Sequence, residues 1–276
     1  MKSLEMIANH YSQEELLDMI RAGVQRLGRS LDTVSVEDLA PVDEFHIGGR
    51  AATETFLGQL DLTTDDHVLD VGCGLGGASR FAAQQYGCRV TGIDLTDEYV
   101  RTGEEMCKWV GLEDHITLER GDATATPYPD GAFDKSYMMH VGMNIADKQS
   151  LARELYRVLR PGGRLGIYDV MRVGDGALRF PVPWATHPEE SAVSSPDEYR
   201  EALEAAGFVV ISEHDRSEFA LQFFTQLRER AHGAGTPVLG LHVLMGNSST
   251  EKVGNMIENV SLGRVAPFEI IAERPV

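Results

Sequence analysis

Val68-Leu69-Asp70-Val71-Gly72-Cys73-Gly74-Leu75-Gly76-Gly77 holds two kinds of chain in one short stretch. Apolar residues broken by a single carboxylate read as a strand buried in a parallel sheet, and the glycines that follow read as a tight turn into a helix. Gly72, Gly74 and Gly77 match the spacing of a dinucleotide fingerprint, with Asp94 closing the next strand. Asp70 does not suit a dinucleotide. A pyrophosphate needs backbone N–H groups and a helix N-terminus free of a competing anion, whereas Asp70 sets a carboxylate at the mouth of the loop. A cationic or zwitterionic ligand fits better.

On either side of that stretch, strand and helix alternate, the pattern of a parallel sheet covered by helices on both faces. Strands are expected at 67–71, 89–94, 116–120, 133–138, 165–170 and 208–212, with a last one at 267–272. Helices are expected from 77 to 86, from about 96, and from 147 to 159, where Pro161-Gly162-Gly163 turns the chain. Ser195-Pro196-Asp197-Glu198 supplies an N-cap, a proline at the first helical position and an acid at the third, for a helix ending at Gly207. Ahead of the sheet, Ser12-x-x-Glu15 is a capping signature for a helix with Leu16, Leu17, Ile20, Val24 and Leu27 on one stripe, stopped by Gly28. Residues 29–42 read as looser chain with a turn at Ala40-Pro41, and a second helix is expected at 51–60.

S-adenosylmethionine carries an ammonium and a sulfonium and no phosphate, so it suits a loop guarded by Asp70. Here the sequence resembles the class I S-adenosylmethionine-dependent methyltransferases, whose first motif reads much like Leu69-Asp70-Val71-Gly72-Cys73-Gly74-Leu75-Gly76. The likeness covers about 65–215 and implies an α/β, Rossmann-like, seven-stranded, mostly parallel sheet whose final strand runs antiparallel. The chain then divides within one domain, 1–276, into an N-terminal helical lid segment (1–60), a cofactor-binding core (65–215), a helical insertion (217–263) and the last strand (265–276). The branch it most resembles includes sarcosine and dimethylglycine methyltransferases and quinone or tocopherol ring methyltransferases.

Ligands of open parallel sheets bind beyond the carboxyl ends of the strands, and acids stand at three of those ends. Asp70 is expected to face the methionine ammonium, with Gly72, Gly74 and Gly76 leaving room for the ligand against the backbone. Asp94 is placed to accept the ribose hydroxyls, and Asp122 the exocyclic amine of adenine with Ala123 as an apolar neighbour. Leu95 and Met106 are candidates to flank the adenine, although either also serves as core. Two rival readings use the same loop: an NAD-dependent oxidoreductase, and a cofactor-binding protein that has lost its chemistry.

A sulfonium methyl is already electrophilic, so its in-line displacement needs a positioned, desolvated nucleophile more than an elaborate catalytic apparatus. The acceptor is expected to be a small molecule of amine or phenol/quinol type. His140 follows strand four, where this family transfers its methyl, and is the candidate base or orienting group, with Asn144 as its hydrogen-bonding partner and Tyr137 beside it. His46, within Phe45-His46-Ile47-Gly48-Gly49-Arg50, is the second candidate, if that bend folds over the pocket. Trp184, in a proline-stiffened loop, is suited to stacking on an acceptor. The stripe Phe219, Phe223 and Phe224 reads as core or as a dimer contact.

Composition narrows the partners. A net charge of -18, from 25 Lys and Arg against 43 Asp and Glu, opposes binding to nucleic acid or to anionic membranes. No apolar run approaches a bilayer span and the first residues lack a signal-peptide core, so a soluble cytoplasmic protein, open to homodimerisation, is expected. The three cysteines, Cys73, Cys88 and Cys107, have neither the number for a disulfide framework nor a metal-ligand spacing, and no metal is expected.

Overall fold

β1 (His67–Val71) is buried along all but its first residue, as its apolar run requires, and the sheet grows from it in both directions. It pairs in parallel with β2 (Arg89–Asp94) on one side and β4 (Phe133–Met139) on the other. Beyond these lie β3 (Ile116–Arg120), parallel to β2, and β5 (Leu159–Arg172), parallel to β4. β7 (Val265–Glu273) runs antiparallel between β5 and β6 (Val209–Asp215), giving the order β3-β2-β1-β4-β5-β7-β6. This is the expected seven-stranded sheet. The chain moves outward from β1 to β3 and then crosses back to β4, so the order reverses between β1 and β4 and opens a crevice at their carboxyl ends. The computed structural model describes residues 16–234 and 237–276, and the capping signature Ser12-x-x-Glu15 lies outside them.

The helices take their places because the sheet is apolar on both faces. One face packs Leu69, Val71 and Met138 against α6 (Lys148–Val158) and α7 (Pro196–Ala206). The other packs Val68, Val90 and Tyr137 against α3 (Gly49–Leu57), α4 (Gly77–Tyr86) and α5 (Asp97–Trp109). α1 (Leu16–Arg26) buries Leu16, Ile20 and Val24 against Leu39 of α2 (Val36–Asp43) and Tyr99 and Met106 of α5. Leu27 is not on that stripe: α1 ends at Arg26 and Leu27 is 41% exposed.

Several boundaries differ from expectation; the last two strands, for example, run over Val209–Asp215 and Val265–Glu273. Residues 36–43, expected to be loose, form α2, because Ser35 Oγ accepts the Asp38 N–H at 3.2 Å and the Asp38 carboxylate accepts the Ser35 N–H at 3.0 Å. This reciprocal cap offsets the donor that Pro41 removes in the last turns. α3 begins at Gly49 and ends at Leu57, ahead of the expected 51–60. β5 begins at Leu159, since Phe133 pairs with Leu159 and Lys135 with Arg164, the Pro161–Gly163 turn bulging from the strand between them. The Ser195 cap forms as read, with Ser195 N–H donating to Glu198 at 2.7 Å.

Between β6 and β7 lie the helices α8 (Ser217–Ala234), α9 (His242–Met245) and α10 (Ser249–Ser261). Phe224, Met256 and Val260 from this segment close an apolar cluster with Trp184, Val182, Ile47 and Met143. α8 also lies against the bend before α3. Gly48 has φ +96, and an added Cβ there would come within 2.4 Å of the Phe219 ring, so the close approach requires glycine.

Candidate active site

Strand register builds the first half of the site. Asp70 pairs with Tyr137 across β1 and β4, and Tyr137 Oη donates to Asp70 Oδ2 at 3.0 Å. Ser79, in the first turns of α4, donates to the same oxygen at 2.6 Å; Oδ1 takes neither bond. Burial lifts the Asp70 carboxyl to about 7 against the pull of both donors. A buried carboxylate so close to neutrality gains strongly from a cation placed beside it.

The loop amides are already spent. Gly72 and Cys73 donate to Ile93 O at 2.7 and 3.0 Å, Gly74 to Asp94 Oδ2 at 3.0 Å, and Gly76 to Cys73 O at 2.8 Å. A diphosphate would find none of these four N–H groups free, and it would meet Asp70 and Asp94 as well. Asp94 closes β2 and accepts the Thr96 N–H on Oδ1 at 2.8 Å; burial raises its pKa and its backbone hydrogen bonds oppose the rise. Gly74 has φ +54 and nothing within 4 Å of a notional Cβ, which leaves open space over the loop. After β3, Asp122 Oδ1 accepts Thr124 N–H at 2.9 Å and Thr124 Oγ–H at 2.8 Å, an Asx turn that does not engage Oδ2. Ala123 is buried and Leu95, beside Asp94, is half-buried. Met106 is fully buried in the α1–α2–α5 core, in the cluster that also holds Leu75 of the loop. The donor set thus suits an ammonium, a ribose diol and an adenine amine, which is S-adenosylmethionine without its carboxylate, and does not suit a dinucleotide.

The second half is assembled from distant segments. His140 follows β4 directly with φ +56, a conformation uncommon outside glycine, and its N–H donates to Tyr168 O at 2.7 Å. The ring stacks on Tyr168 with centroids 5.0 Å apart. Tyr168 Oη donates to Ile47 O at 2.8 Å, and Ile47 N–H donates to His140 Nδ1 at 3.3 Å. A ring nitrogen that accepts carries no proton, so the neutral imidazole holds its hydrogen on Nε2. That Nε2 is buried and has no hydrogen-bond partner among the described residues. Burial, reinforced by His46, pushes the His140 pKa well below the usual value.

His46 stands edge-on to His140, with centroids 5.9 Å apart. Thr53 Oγ donates to Glu44, which leaves the Thr53 oxygen to accept from His46 Nε2 at 3.0 Å. Gly49 O and Glu44 Oε2 lie 3.2 and 3.3 Å from the same nitrogen, so His46 carries its proton on Nε2 and a lone pair on Nδ1. Burial lowers the His46 pKa to about 4.

Three expected placements change. Tyr137 is fully buried with its hydroxyl on Asp70, so it supports the donor side and does not face an acceptor. Asn144 is buried in a 3-10 turn after Val141 and does not bond His140, whose Nδ1 is taken by Ile47. Trp184 is 1% exposed, donates its indole N–H to Ser191 Oγ at 2.9 Å and plugs the apolar cluster; it offers no face for stacking. Sequence reading missed Ser79, Glu44, Thr53 and Tyr168. None lies in a motif, and only Tyr168 had a signal, an aromatic in the strand beside the one that delivers His140.

The fold and this site define a class: a nucleoside-binding α/β enzyme built to hold a cationic methyl donor. Residues 69–167 match a family model described as a methyltransferase domain. The chain is 30% identical over 216 residues to "Methyltransferase GfsG" of Streptomyces halstedii, covering 77% of this chain and 76% of that protein. It is 32% identical over 184 residues to the "27-O-demethylrifamycin SV methyltransferase" of Amycolatopsis mediterranei, covering 66% and 68%. Several other methyltransferases that it matches are longer, and the chain spans about a third of their length. The solved structure of geranyl diphosphate C-methyltransferase from Streptomyces coelicolor A3(2) shares the fold with a TM-score of 0.70, at 21% identity over 98% of this chain and 97% of that one. The chain belongs to the class I S-adenosylmethionine-dependent methyltransferases. S-adenosylmethionine is its cofactor, and the oxidoreductase reading finds no support. Among the described residues no helix is long and apolar enough to cross a membrane, and Cys73, Cys88 and Cys107 are buried and unpaired.

Proposed function

We propose that this enzyme methylates an oxygen of a small, largely apolar molecule, with His140 orienting that oxygen and His46 receiving its proton. One observation carries the reading: a buried neutral His140 whose Nε2–H has no partner among the described residues. Such a donor seeks a lone pair. An oxygen has two, so one accepts the hydrogen bond while the other attacks; a neutral amine has one, and a donor aimed at it ties up the attacking pair. Oxygen is therefore favoured over nitrogen. Ile47, next to His46, and Met143, three residues after His140, belong to the apolar cluster closed by α8 and α10, which supports an apolar acceptor. The Amycolatopsis relative carries an O-demethyl compound in its name, in keeping with this choice.

On the donor side, Asp70 takes the methionine ammonium, Asp94 the ribose hydroxyls, and Asp122 the adenine amine between Ala123 and Leu95, over the backbone of Gly72, Gly74 and Gly76. When bound, S-adenosylmethionine supplies a methyl made electrophilic by its sulfonium. His46 Nδ1 is the site for the hydroxyl proton, because Nε2–H is engaged by Thr53, Gly49 and Glu44. The Glu44 carboxylate then offsets the imidazolium. The segment before α3 and helix α8 act as the lid, and the unpaired cysteines and acidic composition support a cytoplasmic setting. The test is product analysis by mass spectrometry and NMR across matched apolar alcohols, phenols and amines. O-methyl products are expected; exclusive N-methylation would overturn the reading.

A further inference from the structure

We propose that Lys252 binds a carboxylate carried by the methyl acceptor, so that the acceptor is an apolar acid whose hydroxyl reaches His140 and whose carboxylate reaches α10. This deepens the acceptor reading given above and rests on it.

The buried face of α10 carries Lys252, Asn255, Met256 and Asn259 at helical spacing. Both asparagines are bonded. Asn255 Nδ2 donates to Pro181 O, Asn259 Nδ2 donates to Arg179 O, and Asn259 Oδ1 accepts the Arg179 N–H, each at 2.9 Å. Met256 enters the apolar cluster that holds Ile47 and Met143, and Val253 packs against the same cluster. Lys252 stands one turn before Met256, about 6 Å along the helix axis. It is 8% exposed and makes no hydrogen bond or ion pair among the described residues.

Two lysines are buried among the described residues, and the other shows how this chain satisfies an ammonium. Lys148 donates to the carbonyls of Gly142, Ile145 and Ala192 at 2.9, 2.6 and 2.9 Å. Lys252 has no such set. The acid whose charge acts on it is Glu190, and Glu190 Oε2 accepts the Thr186 and His187 N–H at 2.7 and 3.2 Å. Burial lowers the Lys252 pKa, and Glu190 offsets only part of that fall. A lysine that merely covers apolar surface with its stem carries its head out to water, and 8% exposure leaves little of the side chain there. A buried ammonium without a partner calls for an anion. Its single charge selects a monoanion: a carboxylate is balanced by one ammonium, whereas a phosphate dianion would set a second charge against the apolar wall of Met256 and Val253.

The experiment uses para-hydroxyphenyl alkanoic acids of increasing chain length, each paired with its primary amide, which keeps the shape and loses the charge. Calorimetry on the intact protein loaded with S-adenosylhomocysteine gives Kd. Formation of S-adenosylhomocysteine from S-adenosylmethionine gives kcat/KM. At the best chain length wild type is expected to favour the acid over the amide by on the order of 10- to 100-fold in both quantities. Lys252→Met is expected to bring that ratio to within about twofold of unity, the loss falling on the acid. Lys252→Arg keeps the charge and should keep a preference for the acid, and Lys252→Gln gives the reading if thermal melting shows Lys252→Met unfolded. An acid-to-amide ratio unchanged in Lys252→Met and Lys252→Gln overturns the proposal, as does a wild type that favours the amides or binds neither series. Acids bound through Lys252 yet methylated at no oxygen would strike instead at the oxygen reading.

Discussion

The donor side and the acceptor side of this site are held together in opposite ways. Asp70, Asp94 and the glycine loop occupy consecutive strand ends and turn their polar atoms inward on one another: Gly74 N–H on Asp94, Tyr137 and Ser79 on Asp70. His46 and His140 lie far apart in sequence and meet only because Tyr168 and Ile47 link them, and His140 keeps an unsatisfied atom. A satisfied network specifies one ligand rigidly; an unsatisfied buried donor waits for a partner from outside. In the proposed assignment the cofactor contacts thus come from the sheet, and the acceptor contacts from segments that meet between loops.

The largest expected effect breaks the donor side. Asp70→Asn removes the charge under the ammonium and is expected to weaken binding of S-adenosylmethionine by about 100-fold, measured by calorimetry, because a charge-assisted contact in a buried site is lost. The pH dependence sharpens this. The folded carboxyl titrates near 7, above its ordinary 3.8, so between those values the native state binds more protons than the unfolded state and ligand-free stability falls as pH rises. Asp43 and Asp169, each raised to about 6 chiefly by burial, act in the same direction. Ligand binding, by contrast, improves as pH rises through about 7. The gain in melting temperature on adding S-adenosylhomocysteine, whose ammonium is the same, should therefore be larger at pH 8 than at pH 5.5. Asp70→Asn should flatten that gain and leave part of the ligand-free trend, which Asp43 and Asp169 sustain.

Breaking the acceptor side should leave cofactor binding alone. His140→Ala is expected to lower kcat by about 100-fold, the scale for losing one preorganised donor, with Kd for S-adenosylmethionine within about twofold of wild type. His140→Gln restores an N–H and should recover part of the rate. An obligatory base at this position would show no recovery and a rate rising with pH through a histidine titration, whereas an orienting donor held well below its usual pKa shows neither.

The contrast also explains what was legible in the sequence. The positions of Asp70, Asp94 and Asp122 at strand ends were readable because a parallel sheet presents its strand ends in order, so spacing along the chain converts into position in space. The seven-stranded order followed from the family resemblance, and the helices from apolar spacing and the Ser195 cap. Tyr137 was misplaced because strand alternation tells which face a residue takes and not which neighbour it meets; its partner is set by the register against Asp70. Trp184 was misplaced because a proline-framed aromatic reads alike as a stacking platform and as a plug, and only the packing of α8 and α10 decides. Glu44, Thr53 and Tyr168 belong to no motif. Their roles come from the docking of the segment before α3 onto β5, a contact between residues such as 47 and 168 that no local pattern encodes.

Tyr168→Phe tests that docking most finely and should have the smallest effect. The substitution keeps the ring that stacks on His140 and deletes only the hydroxyl that donates to Ile47 O. Losing one neutral hydrogen bond costs about 1 kcal/mol, so kcat should fall about fivefold. The loss should appear in kcat, because Ile47 N–H sets the tautomer of His140, and a loosened Ile47 lets the proton move to Nδ1 and blunts the donor at Nε2. Donor Kd should not change, since the deleted hydroxyl donates to Ile47 O and to neither Asp70 nor the glycine loop. If Tyr168→Phe weakened cofactor binding as much as it lowered kcat, the two sides of the site would be one coupled unit, and the separation drawn between them would fail.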